Sequence, residues 1–127
     1  MSARISIAGV CAVAAMVSIA AQPQRERTWV APPSADSRQN PLNEQPEIVA
    51  GGSKLFRQRC ALCHGQDGTG TNRGPNLMTR QIQDQSDGAL FWKISSGNTR
   101  TGMPSYSFLP EAQRWQLVFH LRAQASE

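Results

Sequence analysis

The sequence predicts a small all-α domain, and three observations predict it. Three segments carry helix start and stop signals, no stretch alternates polar and apolar residues as a half-buried strand would, and the connections are rich in Gly and Pro. With 127 residues, 39% of them hydrophobic, the chain has room for one small domain and none for a large substrate-binding domain beside it. Its negative mean hydropathy excludes a polytopic membrane protein.

The first element is a targeting segment. Met1-Ser2-Ala3-Arg4 is a short basic start, followed by 17 uncharged residues from Ile5 to Ala21. Ser18 and Ala20 place small residues at the −3 and −1 positions of a cleavage site, so residues 1–20 are expected to be a secretory signal peptide. An uncleaved anchor through residues 5–21 is the other reading, at the short end of what spans a bilayer. Cys11 follows Val10, where a lipoprotein signal has Gly or Ala, and reads as a small hydrophobe. Cleavage removes Arg4 and leaves 12 basic against 9 acidic side chains. A charge of +3, scattered along the chain, is too weak to indicate nucleic acid as a partner. Export to an oxidising compartment, the periplasm or its equivalent, also means that Cys60 and Cys63 must be bridged, liganded or otherwise consumed.

Residues 21–45 form a Pro- and Gln-rich tail with linker chemistry and polyproline bias at Pro32-Pro33. Trp29 and Val30 are out of place there. The compact domain is expected over residues 46–127. A first helix from Glu47 to Arg59 carries Leu55 and Phe56 and runs into the Cys pair. A second is capped by Ser86-Asp87, contains Ala89, Leu90, Phe91, Trp92 and Ile94, and stops at Gly97. A third opens at Pro110-Glu111, with Pro suited to the first helical position, and continues through Trp115, Leu117, Val118, Phe119 and Leu121. Three short helices bury little apolar surface, so a domain of this size needs a staple or a large apolar group at its centre.

Cys60-Ala61-Leu62-Cys63-His64 is C-x-x-C-H, the attachment sequence of c-type haem. Two thiols three residues apart at a helix end can add to the two vinyl groups on one haem edge, and the adjacent imidazole then points at the iron. A thioredoxin-like redox pair would need a βαβ scaffold. A zinc site would have to combine Cys60, Cys63, His64 and His120 without a paired His-x₃₋₅-His. A plain disulfide would leave His64 unexplained. One covalently attached haem c is the reading that uses the whole motif.

From about Glu47 to Gln124 the chain resembles the class I mono-haem cytochromes c. Gly52 and Phe56, eight and four residues before Cys60, match that family's N-terminal helix, where the glycine permits close crossing of the C-terminal helix. Gly74-Pro75-Asn76-Leu77 matches the loop whose proline carbonyl holds the proximal histidine ring, and Gly102-Met103-Pro104 looks like the distal methionine loop. Leu117, His120 and Leu121 fall where the closing helix usually has Leu, an aromatic and Leu; Tyr is commoner than His at the middle position. The resemblance implies a small cytochrome c-type helical fold wrapped around one haem, with His64 and Met103 as iron ligands.

The residues support the same ligand pair. Met78 follows His64 by 14 residues, directly after the loop that braces the histidine, whereas Met103 lies 39 residues on, past a complete helix that can carry the chain to the opposite haem face. Met78 and His120 are the rival ligands, each better explained by packing. Leu77, Trp92, Ile94, Leu117 and Leu121 are expected to wall the haem. Trp92 either donates its indole N–H to a propionate or is a core tryptophan; both readings are open.

The expected function is one-electron transfer as a class I c-type cytochrome, monomeric outside complexes. Its partners would be a donor such as a quinol-oxidising complex or dehydrogenase, and an acceptor such as an oxidase or reductase, met in small and weak encounters. Membrane contact is expected only if the N-terminal segment stays uncleaved. The alternatives are a dedicated haem subunit of a larger oxidoreductase, or a peroxidase-like haem enzyme with Met103 unbound. For the tail, the expectation is that Trp29 to Pro33 folds onto an exposed pair, Trp115 and Phe119, and leaves the haem edge open; the other possibility is a core Trp115 and a free tail. Mass spectrometry of the exported protein should give residues 21–127 plus one haem, whereas residues 1–127 plus one haem would establish the anchor.

Overall fold

The computed structural model describes residues 29–126. The expected signal or anchor segment and the start of the tail lie outside the described residues. Those described form six helices, α1 (Pro33–Asp36), α2 (Pro46–Arg59), α3 (Ala61–His64), α4 (Arg80–Gln83), α5 (Asp87–Ser96) and α6 (Glu111–Ala125), with no strand among them. The fold is all-α. Helices α2, α5 and α6 are the three that the sequence signals mark; the other three are single turns too short for periodicity to register.

Local chemistry accounts for the ends of the long helices. Helix α2 opens on Pro46, whose missing N–H costs nothing in the first turn, and closes with Arg57 and Arg59 beside its carbonyl end. At α5 the Ser86 hydroxyl accepts the Ala89 N–H at 3.0 Å, and Gly97 ends the helix at φ 65°. Pro110 serves as the N-cap of α6 rather than as its first helical residue.

The central packing event is the crossing of α2 over α6. A Cβ at Gly52 would lie 2.0 Å from the Gln116 carbonyl oxygen and 3.0 Å from the His120 Cβ, so only glycine lets the two backbones meet. One turn on, Phe56 is fully buried and lays its ring against His120 at 4.9 Å. The middle of α6 is buried almost all round, from Trp115 to Leu121, because it has neighbours on several sides.

Core packing, not the Trp29 segment, accounts for the burial of Trp115, which corrects the expectation of an exposed pair covered by Trp29. Trp115 is 0% exposed and stacks on Phe91 of α5 at 4.0 Å and 19°, and Phe119 is buried as well. A helical wheel drawn for one partner fails for a helix with more than one.

Residues 29–42 lie along the domain. Helix α1 rests on α5, where Gly88 makes room: a Cβ there would stand 2.1 Å from the Ala35 carbonyl oxygen. The Ser86 hydroxyl donates to the Asp36 carbonyl at 2.7 Å. Arg38 sets its guanidinium 4.7 Å from the Phe91 ring centre and 5.4 Å from that of Trp115, and it pairs with Glu111, whose carboxyl it holds below the usual range. Asn40 donates to the Trp115 carbonyl at 3.2 Å. Thus Arg38 and Asn40, not Trp29, are the residues that reach Trp115.

Arg122 closes the other side of α6, donating to Asp87 at 2.9 Å and to the Gln83 carbonyl at 2.6 Å, which ties α6 to the start of α5 and the end of α4. No helix among the described residues is long and apolar enough to cross a membrane.

Gly52→Ala should destabilise the holoprotein by roughly 1–3 kcal/mol, the usual cost of overpacking a site that cannot relax. Gly51→Ala, whose Cβ would meet only the flexible Gln116 side chain at 3.1 Å, should change stability by less than about 1 kcal/mol. Denaturant unfolding of both variants checks the contrast.

Candidate haem site

The C-x-x-C-H motif sits where α2 turns into α3. Helix α2 is followed by its C-cap Cys60, whose N–H still bonds to the Phe56 carbonyl at 2.8 Å, and the Cys60 carbonyl then accepts from the Cys63 and His64 N–H groups at 3.1 and 2.9 Å. The turn winds both sulfurs and the imidazole onto one cavity, which all three residues line. Neither cysteine is in a disulfide. Before haem is attached, burial, with a smaller push from Cys63, raises the Cys60 thiol to about 11.

A second glycine-rich segment orients His64. Its Nδ1 donates to the Pro75 carbonyl at 2.9 Å; a carbonyl can only accept, so Nδ1 carries the proton and Nε2 keeps its lone pair for a metal. Gly74 makes this contact possible, because a Cβ there would press on the Cys63 carbonyl at 2.9 Å and on His64 Nδ1 at 3.1 Å. The Thr71 hydroxyl fastens the same segment to the Cys63 carbonyl at 2.6 Å.

A third segment carries Met103 to the cavity. Asn98 and Met103 exchange two backbone hydrogen bonds, at 2.9 and 3.0 Å, closing a loop through Gly102 at φ 91°. At its base Gly97 packs backbone to backbone on Pro104, where a Cβ would be 2.5 Å from the Pro104 carbonyl.

Of the residues singled out from sequence, Cys60, Cys63, His64, Pro75, Leu77, Ile94, Met103, Leu117 and Leu121 line this one cavity. Trp92 does not; it lies off the cavity, and the indole on the lining is that of Trp29. Met78 is also off the lining and packs against the core beside Gly68. His120 lies behind Phe56, on the α2 side of α6. Sequence reasoning missed Tyr106, Ile82, Leu90 and the cations Arg59, Arg73 and Lys93, all of which line the cavity. Tyr106 donates its hydroxyl to the Arg59 carbonyl at 2.7 Å, closing the wall between the end of α2 and the methionine loop. For Trp29 there was a signal: an indole in linker-like sequence with nothing nearby to bury it.

The arrangement fits a haem. Its wall is mostly carbon, the thiols and the oriented imidazole share its lining, and its charged residues are cations that suit a haem's carboxylates. The family model described as cytochrome c oxidase, cbb3-type, subunit III matches residues 47–121. The chain belongs to this family of c-type cytochromes. No curated protein matches it. The cytochrome accordingly carries haem c, held through Cys60 and Cys63, and is a haem-containing electron-transfer protein.

Replacing both Cys60 and Cys63 with Ala should yield little protein that retains haem, because the cofactor fills the centre around which Phe56, Leu90 and Leu117 pack. The haem-to-protein absorbance ratio after denaturing gel filtration measures this.

Proposed function

We propose that this cytochrome is an exported one-electron carrier in which His64 and Met103 would ligate the haem iron. The observation that carries the reading is that His64 and Met103, 39 residues apart in sequence, line the same apolar cavity, while Met78 does not. Haem bound there would supply the one-electron redox chemistry.

The protein's part is to hold both ligands and exclude water. The Pro75 carbonyl fixes the His64 ring, and the Asn98–Met103 bridge restrains the thioether, so neither ligand has to move when an electron arrives or leaves. A thioether from Met103 together with the His64 imidazole would raise the reduction potential, and the carbon lining would favour the less charged, reduced iron. Donor and acceptor would be exported or membrane-bound redox proteins.

A second reading places the same site in a dedicated subunit of an oxidase, and the family's description as an oxidase subunit favours it. The two readings share every site residue and differ in partners. Co-purification with a membrane oxidase after mild solubilisation distinguishes a subunit from a carrier that is released as a single chain.

Met103→Ala should lower the reduction potential, abolish the weak far-red band of iron–methionine bonding in the oxidised protein, and admit cyanide, while Met78→Ala should leave all three unchanged. The reverse pattern would transfer the ligand role to Met78.

A further inference from the structure

The tail ends at the haem cavity, and its attachment is built in. Trp29 lies on the cavity lining, its indole N–H donates to the Gly97 carbonyl at 3.0 Å, and the Lys93 ammonium stands 4.9 Å from its ring centre. The next residue, Val30, is 66% exposed, whereas Ala31 is buried, so this extended stretch of tail turns Trp29 and Ala31 toward the domain and Val30 away. Behind them α1 is seated in the gap left by Gly88, and Arg38 and Asn40 pin the far end. Gly97 is also the residue before Asn98, which brackets Met103. The Trp29 hydrogen bond therefore lands at the base of the methionine loop.

We propose that Trp29 is a haem-contact residue, a wall of the cofactor site supplied by the tail, and that residues 29–40 are a strap that seals this side of the haem from water. The inference rests on the haem reading of the cavity and adds a residue that lies outside the matched family region, 47–121. An indole at this wall displaces water from the haem surface, and water stabilises the more charged, oxidised iron. Removing the ring should therefore shift the potential down. Because the strap is also held at Gly88 of α5, which is off the cavity lining, it should respond to a change that touches no atom of the cavity.

The test uses the full-length holoprotein. In the unaltered protein the Trp29 indole N–H resonance should shift strongly between oxidation states, and that of Trp92 should shift much less; equal, small shifts for both would overturn the contact without any variant. Trp29→Ala should shift the reduction potential down and speed cyanide binding, and Trp29→Phe, which keeps a ring but loses the bond to Gly97, should stay closer to the parent. Gly88→Ala, which drives a Cβ into the Ala35 carbonyl, should shift the potential in the same direction as Trp29→Ala. Parent-like potential and cyanide rate in Trp29→Ala, with covalent haem and the far-red band intact, would overturn the strap and leave the carrier reading standing. Absence of that band in the parent would instead count against the His64–Met103 pair.

Discussion

The contact of two backbones at Gly52 governs the rest of this molecule. With no side chain between them, α2 and α6 approach until the Gly52 Cα meets the Gln116 carbonyl, and the directions of both helices follow from that contact. Phe56, one turn beyond, is thereby placed between α6 and the cavity, and the end of α2 delivers Cys60 to the lining that Leu117 and Leu121 complete from α6. A wider crossing would separate the thiols from the wall against which the haem packs. The cysteine motif supplies the chemistry; the glycine eight residues before it supplies the place where that chemistry can be used.

The two proposed iron ligands depend on loops, ordinarily the least rigid parts of a small domain: His64, at the end of α3, is braced by one, and Met103 is carried by another. Here each loop is tied by backbone groups. Pro75 holds His64 through a carbonyl that Gly74 allows to come close, and Asn98 and Met103 bridge each other across Gly102. Glycine is needed at Gly74 because a Cβ would occupy the space of the contact, and at Gly102 because the loop takes a φ of 91° that other residues rarely adopt. The consequence is that both residues are held in place by the protein's own backbone.

The tail shows how composition can mislead. Its Pro, Gln and Arg content is that of a solvated linker, yet the same residues bond specifically to the domain: Arg38 over two aromatic rings and onto Glu111, Asp36 onto Ser86, Asn40 onto Trp115. Polar residues in such numbers mark a free segment only when the folded part offers them no partners. The broad aromatic face formed by Phe91 and Trp115 is such a partner for a guanidinium.

The sequence by itself determined the helical class, the three long helices with most of their boundaries, and the haem attachment. Those features are local: capping residues, turn glycines and the spacing of two cysteines and a histidine act within a few residues of one another. The role of Gly52 was also legible, through resemblance, since a glycine in a helix interior is costly unless something must come close. Only the tertiary structure decided which of two tryptophans, Trp29 or Trp92, lines the cavity, and that Trp115 is core. Each of these depends on which face of an element meets which neighbour. A sequence records the faces of a helix, but how many of them are covered is set by segments far away along the chain, and for α6 those segments include the tail.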